Sequence, residues 1–273
     1  MSKKRLVIFI LCIAVAAGCV GFIAYTLISQ KMREKVYEDL KTDTAVTTVT
    51  AAPTETPTAA PTEETVPTEA PTAEPTKEPY VSSVDFDALH AINPDIYAWI
   101  SITDTVVDYP IVQHSTDDDY YLNRTIEGYE GYPGSIYTQL VAAKDFSNFN
   151  TLIYGHDMND GSMFGSLSNY ANDDYFNTHR EMKIYTPDAT LTYTIFAAVY
   201  YTDELITYKY NFEDKDQCQA FLDEIYSLKD MDNRVADDVT VTSDDKIVTL
   251  STCTSDGTDR RYLVIGVLTG TDD

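Results

Sequence analysis

The stretch Ile247-Val248-Thr249-Leu250-Ser251-Thr252-Cys253 is apolar and rich in β-branched residues, and a similar run, Tyr262-Leu263-Val264-Ile265-Gly266-Val267-Leu268, follows after a polar connection. Two such runs around a glycine-containing turn predict two strands of one sheet. Cys253 then ends the first strand and Arg261 begins the second. Antiparallel pairing would hold a thiol and a guanidinium at one rim of the sheet, where a cation favours the reactive thiolate.

A second apolar run, Thr151-Leu152-Ile153-Tyr154-Gly155-His156, also ends in a reactive side chain. A cysteine, a histidine and an arginine at strand ends can serve as a nucleophile, an acid/base and a clamp for an oxyanion. The plainer alternative is that Cys253 is a small buried apolar residue. The other three histidines, His90, His114 and His179, do not end an apolar run of this kind. No two histidines are spaced to bind one metal ion, so no metal site is expected. No other cofactor is expected either.

Five segments resemble class B sortases, a family of bacterial cysteine transpeptidases, and they follow one another along the chain in the family's order. The Thr249–Cys253 segment is similar to the family's TLxTC box, with an arginine eight residues further on. The likeness runs from about Val84 to Leu268. The other segments that carry it are Ile92–Ile100, Asp108–Gln113, Asp119–Leu122 and Tyr154–Gly165.

The predicted fold is mostly β. Many short apolar runs and few helical patterns favour a closed β-barrel, which also removes exposed sheet edges. A short N-terminal helix is expected from Ser83 to Ala91, and a longer one lies within Phe212–Met231. The resemblance implies the eight-stranded sortase barrel, with this longer helix before the cysteine-bearing strand.

The resemblance also implies the site residues: Cys253, His156 and Arg261 as the catalytic group. Arg260 and Arg261 point to opposite faces of a strand, so only one can serve the thiol. Asp118 stands where several class B sortases carry an asparagine, so no sorting motif is inferred. The expected substrate-binding residues are Ser251, Thr252, Asp118, Leu122 and Tyr154.

The formal net charge of -25 argues against a nucleic-acid partner. Of the four cysteines, Cys12 and Cys19 lie in the apolar N-terminal run. A bridge between the other two, Cys218 and Cys253, would inactivate the expected nucleophile. The sequence leaves that pairing open.

The first part of the chain divides into segments of different composition. Residues 1–5 form a basic tip, predicted to be cytoplasmic, and the uncharged run 6–28 is long enough for a transmembrane anchor. A juxtamembrane segment, 29–41, and a Pro/Thr-rich disordered tether, 42–79, follow, before a catalytic domain at 80–273. These features predict a single-pass membrane protein with an extracellular catalytic domain. A lipoprotein cleavage box ending at Cys19 is the alternative for the first segment.

The function expected from the resemblance is cleavage of a C-terminal sorting signal on surface proteins and transfer of the acyl product to an amine. The acceptor would be a peptidoglycan precursor or a pilin. A cysteine peptidase that does not transfer, and a non-catalytic surface-binding barrel, are the alternatives.

Overall fold

A computed structural model describes residues 18–21, 24, 28, 31–32, 35–42, 80–254 and 259–273. The chain forms two compact units, Met1–Ala45 and Val46–Asp273. The described residues of the first unit are helical, and at its end the Thr42 hydroxyl donates to the Glu38 carbonyl over 2.8 Å. Apart from Thr42, the predicted tether lies outside the described residues.

The predicted anchor, 6–28, also lies largely outside the described residues. Within the ranges given above, no helix is both long enough and apolar enough to span a bilayer. This finding contradicts the predicted single-pass membrane localisation, which we correct.

The second unit is built around a closed barrel of eight strands, as predicted. Around the barrel the order is β5-β1-β2-β3-β4-β8-β9-β6, and pairing of β5 with β6 completes the ring. A ninth strand, the short β7, pairs with β6 outside the ring. The strands are β1 (Ile96–Ile102), β2 (Asp108–Val112), β3 (Ile136–Tyr137), β4 (Asn150–Tyr154), β5 (Glu181–Tyr185), β6 (Thr190–Thr202), β7 (Arg234–Val235), β8 (Ile247–Cys253) and β9 (Arg260–Asp272).

Helices lie in the connections between these strands. The predicted N-terminal helix is α1 (Phe86–Ile92), and the Asp85 carboxylate caps it by accepting from the Ala88 amide. The remaining helices are α2 (Asp173–Thr178), α3 (Ile206–Lys209) and α4 (Lys215–Ser227), and two 3₁₀ segments cover Tyr120–Asn123 and Gly165–Ala171. Of these, α4 is the predicted longer helix, and it is shorter than the apolar pattern Phe212–Met231.

The sequence did not predict α2, α3 or β7. The acidic pair Asp173-Asp174 lies in the first turn of α2. Acidic side chains are favourable there because the helix N-terminus carries partial positive charge. Asn172 completes this start by accepting from the Tyr175 amide over 3.1 Å.

The two strands quoted at the outset, β8 and β9, lie side by side in the barrel wall. β8 pairs antiparallel with β9 and parallel with β4, so it has a neighbour on each side. Leu250, Leu263 and Val264 are fully buried. A strand covered on both faces reads as a continuous apolar run, which explains why the sequence pattern was so clear.

Candidate active site

Cys253 and Arg261 lie opposite each other across the β8–β9 ladder. The Nη1 of Arg261 is 2.6 Å from the Sγ of Cys253, and it donates a hydrogen bond to the sulfur. Arg260 is exposed, and its guanidinium lies 4.7 Å from the centre of the Tyr200 ring. Of the two adjacent arginines, Arg261 is therefore the one that contacts the thiol.

His156 reaches the same rim because β4 runs parallel to β8. Tyr154 pairs with Ser251, and the Gly155 amide continues the ladder by donating to the Ser251 carbonyl over 3.2 Å. His156 and Cys253 are each two residues beyond this matched pair. The parallel register therefore carries the imidazole and the thiol off the same end of two neighbouring strands.

The imidazole of His156 is held by a backbone carbonyl. Its Nε2 lies 2.8 Å from the Leu122 oxygen. A carbonyl oxygen only accepts, so Nε2 carries the hydrogen. The other ring nitrogen, Nδ1, is then the one that can exchange a proton with a substrate.

A tight turn supports that carbonyl from behind. Gly134 has φ +71°, and a Cβ at this position would lie 2.3 Å from the Leu122 oxygen and 2.7 Å from the Tyr121 oxygen. The next residue, Ser135, donates its amide to the same Tyr121 oxygen over 3.0 Å. Glycine is thus required where the backbone approaches the segment that positions His156.

Tyr132, in the same loop, contacts His156 directly. The two ring centres are 5.0 Å apart, and the Tyr132 side chain is about half exposed. Burial raises its pKa, and the negative charges of Asp157 and Cys253 act in the same direction. Sequence reasoning missed this residue, because a tyrosine in a loop of a tyrosine-rich chain gives no distinguishing signal.

The two cysteines of the barrel unit are both free thiols. Cys253 is exposed, whereas Cys218 is buried on α4 with its Sγ 3.4 Å from the Phe212 carbonyl oxygen. Burial raises the pKa of Cys218. Cys218 and Cys253 therefore do not form the disulfide bridge that the sequence left open. The exposed thiol, Cys253, is the one next to a guanidinium.

The expected substrate-binding residues do not all face the same space. Ser251 alternates with Thr252, so the two lie on opposite faces of β8. Ser251 shares its face with Cys253, whereas Thr252 is 4% exposed and faces away from Arg261. The Asp118 carboxylate accepts from the Leu140 amide over 2.6 Å.

Tyr154 belongs to a pair of tyrosines near Arg261. Its ring centre lies 5.4 Å from that of Tyr137, and its hydroxyl donates to the Gln139 side-chain oxygen over 3.3 Å. Burial raises the pKa of Tyr154 to about 12, against the opposing charge of Arg261. The sequence did not predict Tyr137 as a site residue, because its chain position gives no signal that sets it apart from the other tyrosines.

Gln139, the hydrogen-bond partner of Tyr154, also lines a groove of about 570 Å³. The walls come from the segments 139–150 and 207–213 and from Leu152 of β4. Val141 and Tyr208 are 65% and 83% exposed at this groove. Aromatic and aliphatic side chains around a few amides suit an extended peptide.

Comparison with known proteins agrees with this geometry. The sortase domain model matches residues 100–269. Sortase B of Listeria monocytogenes is 32% identical over 165 residues, which cover 60% of this chain and 65% of that protein. The chain thus matches just under two thirds of the length of that relative.

Two solved structures have a similar fold. Sortase B from Bacillus anthracis, in complex with AAEK1, gives a TM-score of 0.59 at 35% identity, over 67% of this chain and 83% of that one. A Staphylococcus aureus sortase B–substrate complex gives 0.59 at 30% identity, over 67% and 84%. The domain match and these relatives agree with the arrangement of the barrel, and the chain therefore belongs to the sortase family, in its class B.

Proposed function

We propose that this protein is a cysteine transpeptidase that cleaves a sorting signal of surface proteins and transfers the acyl product to an amine. The observation that carries the proposal is the 2.6 Å contact between Arg261 and the Cys253 sulfur, at the rim that His156 also reaches. Family membership supports the chemistry, and the S. aureus relative was solved with a substrate.

In the first half-reaction, the sulfur of Cys253 attacks the scissile carbonyl carbon of the bound peptide. The guanidinium of Arg261 stabilises negative charge, first on the sulfur and then on the oxygen of the tetrahedral intermediate. Protonated His156 gives its Nδ1 proton to the departing amine, while Nε2 stays bonded to Leu122. A thioester on Cys253 and a free amine result.

In the second half-reaction, an amine attacks the thioester. Neutral His156 accepts the amine proton at Nδ1, and the sulfur leaves as thiolate beside Arg261. Each proton taken up is released in the other half-reaction, so the enzyme returns to its starting state. The natural acceptor in this proposal is an amino group of a peptidoglycan precursor or a pilin.

The peptide of the sorting signal occupies the groove that begins at Gln139. Tyr154 connects this groove to Arg261, because its hydroxyl donates to Gln139 of the groove and the charge of Arg261 acts on it. Tyrosines offer rigid apolar faces with a polar tip, which suits contact with a peptide backbone. The carboxylate of Asp118, which accepts from the Leu140 amide next to Gln139, brings negative charge near this groove and so affects which peptide the chain prefers.

The test is to incubate the full chain with a library of fluorogenic peptides, with and without triglycine, and to identify the products by mass. Cys253→Ala and His156→Ala should each abolish cleavage. Cys218→Ala is the matched control and should retain it. Cleavage that survives loss of Cys253 would overturn the proposal.

The same products separate the alternatives. A cysteine peptidase without transfer releases only the carboxylate, whatever the triglycine concentration. A non-catalytic barrel cleaves no peptide in the library. A peptide joined to triglycine is the outcome that supports a transpeptidase.

A further inference from the structure

Tyr132 presents an open aromatic surface beside His156. The two ring centres are 5.0 Å apart, and the ring planes are tilted by 59°. Tyr132 is still 51% exposed, although it contacts the imidazole. An aromatic ring carries a large apolar area, so the part left open next to a reacting group is available to a substrate.

The backbone on both sides of Tyr132 is held by hydrogen bonds. The Gly131 amide donates to the Asn123 carbonyl over 2.9 Å, and the Gly134 amide donates to the Gly131 carbonyl over 3.1 Å. Arg124 and Glu130 bridge the same loop, with guanidinium and carboxylate 2.6 Å apart. The position of the ring next to His156 is therefore fixed by its loop as well as by the ring contact.

The first half-reaction determines which part of the peptide comes to this ring. His156 gives its Nδ1 proton to the departing amine, so the amine nitrogen must come within about 3 Å of Nδ1. The imidazole is small, and both of its nitrogens are near a ring whose centre is 5.0 Å from its own. The residue that carries the departing amine is therefore within reach of Tyr132.

The acyl side of the peptide is bound by a different surface. In the proposed function it occupies the groove at Gln139, which Tyr154 connects to Arg261. The described lining residues of that groove do not include Tyr132. The two sides of the scissile bond thus contact separate parts of the chain, and their preferences can be measured separately.

The Tyr132 ring remains uncharged at neutral pH. Burial raises the pKa of its hydroxyl, and the negative charges of Asp157 and Cys253 add to this effect. The action of the Cys253 charge also indicates that Tyr132 is near the sulfur as well as the imidazole. A neutral aromatic ring at this place suits an apolar side chain.

We infer that Tyr132 is a specificity residue for the amine side of the scissile bond: its ring binds the side chain that follows the scissile bond and favours an apolar one. The inference rests on the proposed transpeptidation and adds a preference for the leaving part of the substrate. Contact with one aromatic face changes a rate by about fivefold.

The acceptor should use the same surface. In the second half-reaction the incoming amine gives its proton to the same Nδ1 of His156. The first residue of a peptide acceptor therefore takes the place of the residue that has left, and the same ring should favour an apolar side chain there.

The experiment uses two peptides that differ only in having Leu or Ala directly after the scissile bond, built on the best peptide of the library. In the unaltered full chain, kcat/KM for the Leu peptide should exceed that for the Ala peptide about fivefold. Transfer to Leu-Gly-Gly should exceed transfer to Ala-Gly-Gly by a similar factor. Tyr132→Ala should bring both ratios close to one, whereas Tyr132→Phe should keep them because it retains the ring.

The matched control is Tyr129→Ala. Tyr129 lies three residues earlier in the same loop and is 70% exposed, and its removal should leave both ratios as in the unaltered chain. A smaller folded fraction lowers both rates equally, so the ratios still report on specificity, and Tyr132→Thr replaces the alanine variant if that variant does not fold.

Two results would overturn the inference. One is a ratio near one in the unaltered chain. The other is a Tyr132→Ala chain that cleaves both peptides more slowly but with an unchanged ratio, which would mean that Tyr132 only supports His156. An unaltered chain that cleaves no peptide would instead overturn the proposed function itself.

Discussion

Arg261 donates from Nη1 to the Sγ of Cys253 over 2.6 Å, because the antiparallel register of β8 and β9 sets the two residues directly opposite each other. Arg260 lies one position earlier and points to the other face, where it covers the Tyr200 ring. Two adjacent arginines of equal charge thus occupy different surroundings. They form a natural pair of test and control.

Arg261→Ala should lower kcat/KM for peptide cleavage by about 10²- to 10³-fold, the usual cost of losing a group that stabilises an oxyanion. Arg261→Lys should fall between this variant and the unaltered chain, because it keeps the charge but loses the planar fork. Steady-state cleavage of the best library peptide measures both. Arg260→Ala should stay within about threefold, as expected for an exposed side chain, and equal losses at 260 and 261 would contradict the assignment.

The neutral His156 ring should be the Nε2–H tautomer, because Nε2 faces the Leu122 carbonyl oxygen at 2.8 Å. His179 provides an internal comparison, since its Nδ1 faces the Tyr175 carbonyl oxygen at 3.0 Å and should carry the hydrogen instead. The ¹⁵N shifts of the two rings, recorded at a pH where both are neutral, distinguish these tautomers. The same tautomer in both rings would contradict the prediction.

Gly134→Ala should reduce cleavage at least tenfold, because the added Cβ meets the Leu122 oxygen and displaces the carbonyl that positions His156. Gly128→Ala is the matched control. Gly128 also has a positive φ, +85°, but nothing lies within 4 Å of its Cβ position.

Both alanine variants should lose about 1 kcal/mol of unfolding free energy to backbone strain, measured by denaturant unfolding. Gly134→Ala should lose more, and it alone should lose activity per folded molecule. Equal activity in the two variants would show that the Leu122 carbonyl does not position the histidine.

The residues that the sequence predicted best lie at the ends of strongly apolar strands. The apolar runs of β4 and β8 predicted both strands, and His156 and Cys253 lie at or just beyond their ends. Alternation along β9 showed only that one of the two adjacent arginines can serve the thiol, and the resemblance to class B sortases selected Arg261. The closed barrel was confirmed, since the eight strands form a ring.

The contacts that sequence reasoning missed depend on backbone groups and on loops. Every residue has a backbone carbonyl, so the residue type of Leu122 does not predict that its carbonyl contacts His156. Leu122 was predicted as a substrate-binding residue, and the structure shows its backbone oxygen 2.8 Å from Nε2 of His156. Thr252 was expected to touch the peptide, and alternation along β8 places it on the face opposite that of Cys253. Tyr262, its partner across the β8–β9 ladder, reads in the sequence as an ordinary strand tyrosine.

A last prediction concerns Glu224 of α4, which ties the wall of the peptide groove to β6. Its carboxylate accepts hydrogen bonds from Tyr201 at 2.6 Å, Lys209 at 2.7 Å and Tyr210. Burial by itself would raise the pKa of Glu224, but the bonds from Lys209 and the two tyrosines outweigh it, and the pKa lies below its ordinary value. The folded state therefore prefers the carboxylate.

A lowered folded pKa means that this contribution to stability is complete above the ordinary value of 4.5 and is lost as the pH falls through the folded value. Glu224→Gln should cost about 1–2 kcal/mol of unfolding free energy at pH 7, and the difference from the unaltered chain should shrink steadily below about pH 4.5. Denaturant unfolding across this range measures the difference. Asp223→Asn removes the same charge from the neighbouring, exposed position, where the carboxylate accepts from Gln219 over 2.9 Å. This control should show neither the cost nor the pH dependence. A difference for Glu224→Gln that stayed constant down to pH 3 would show that shape, not charge, holds the groove wall in place.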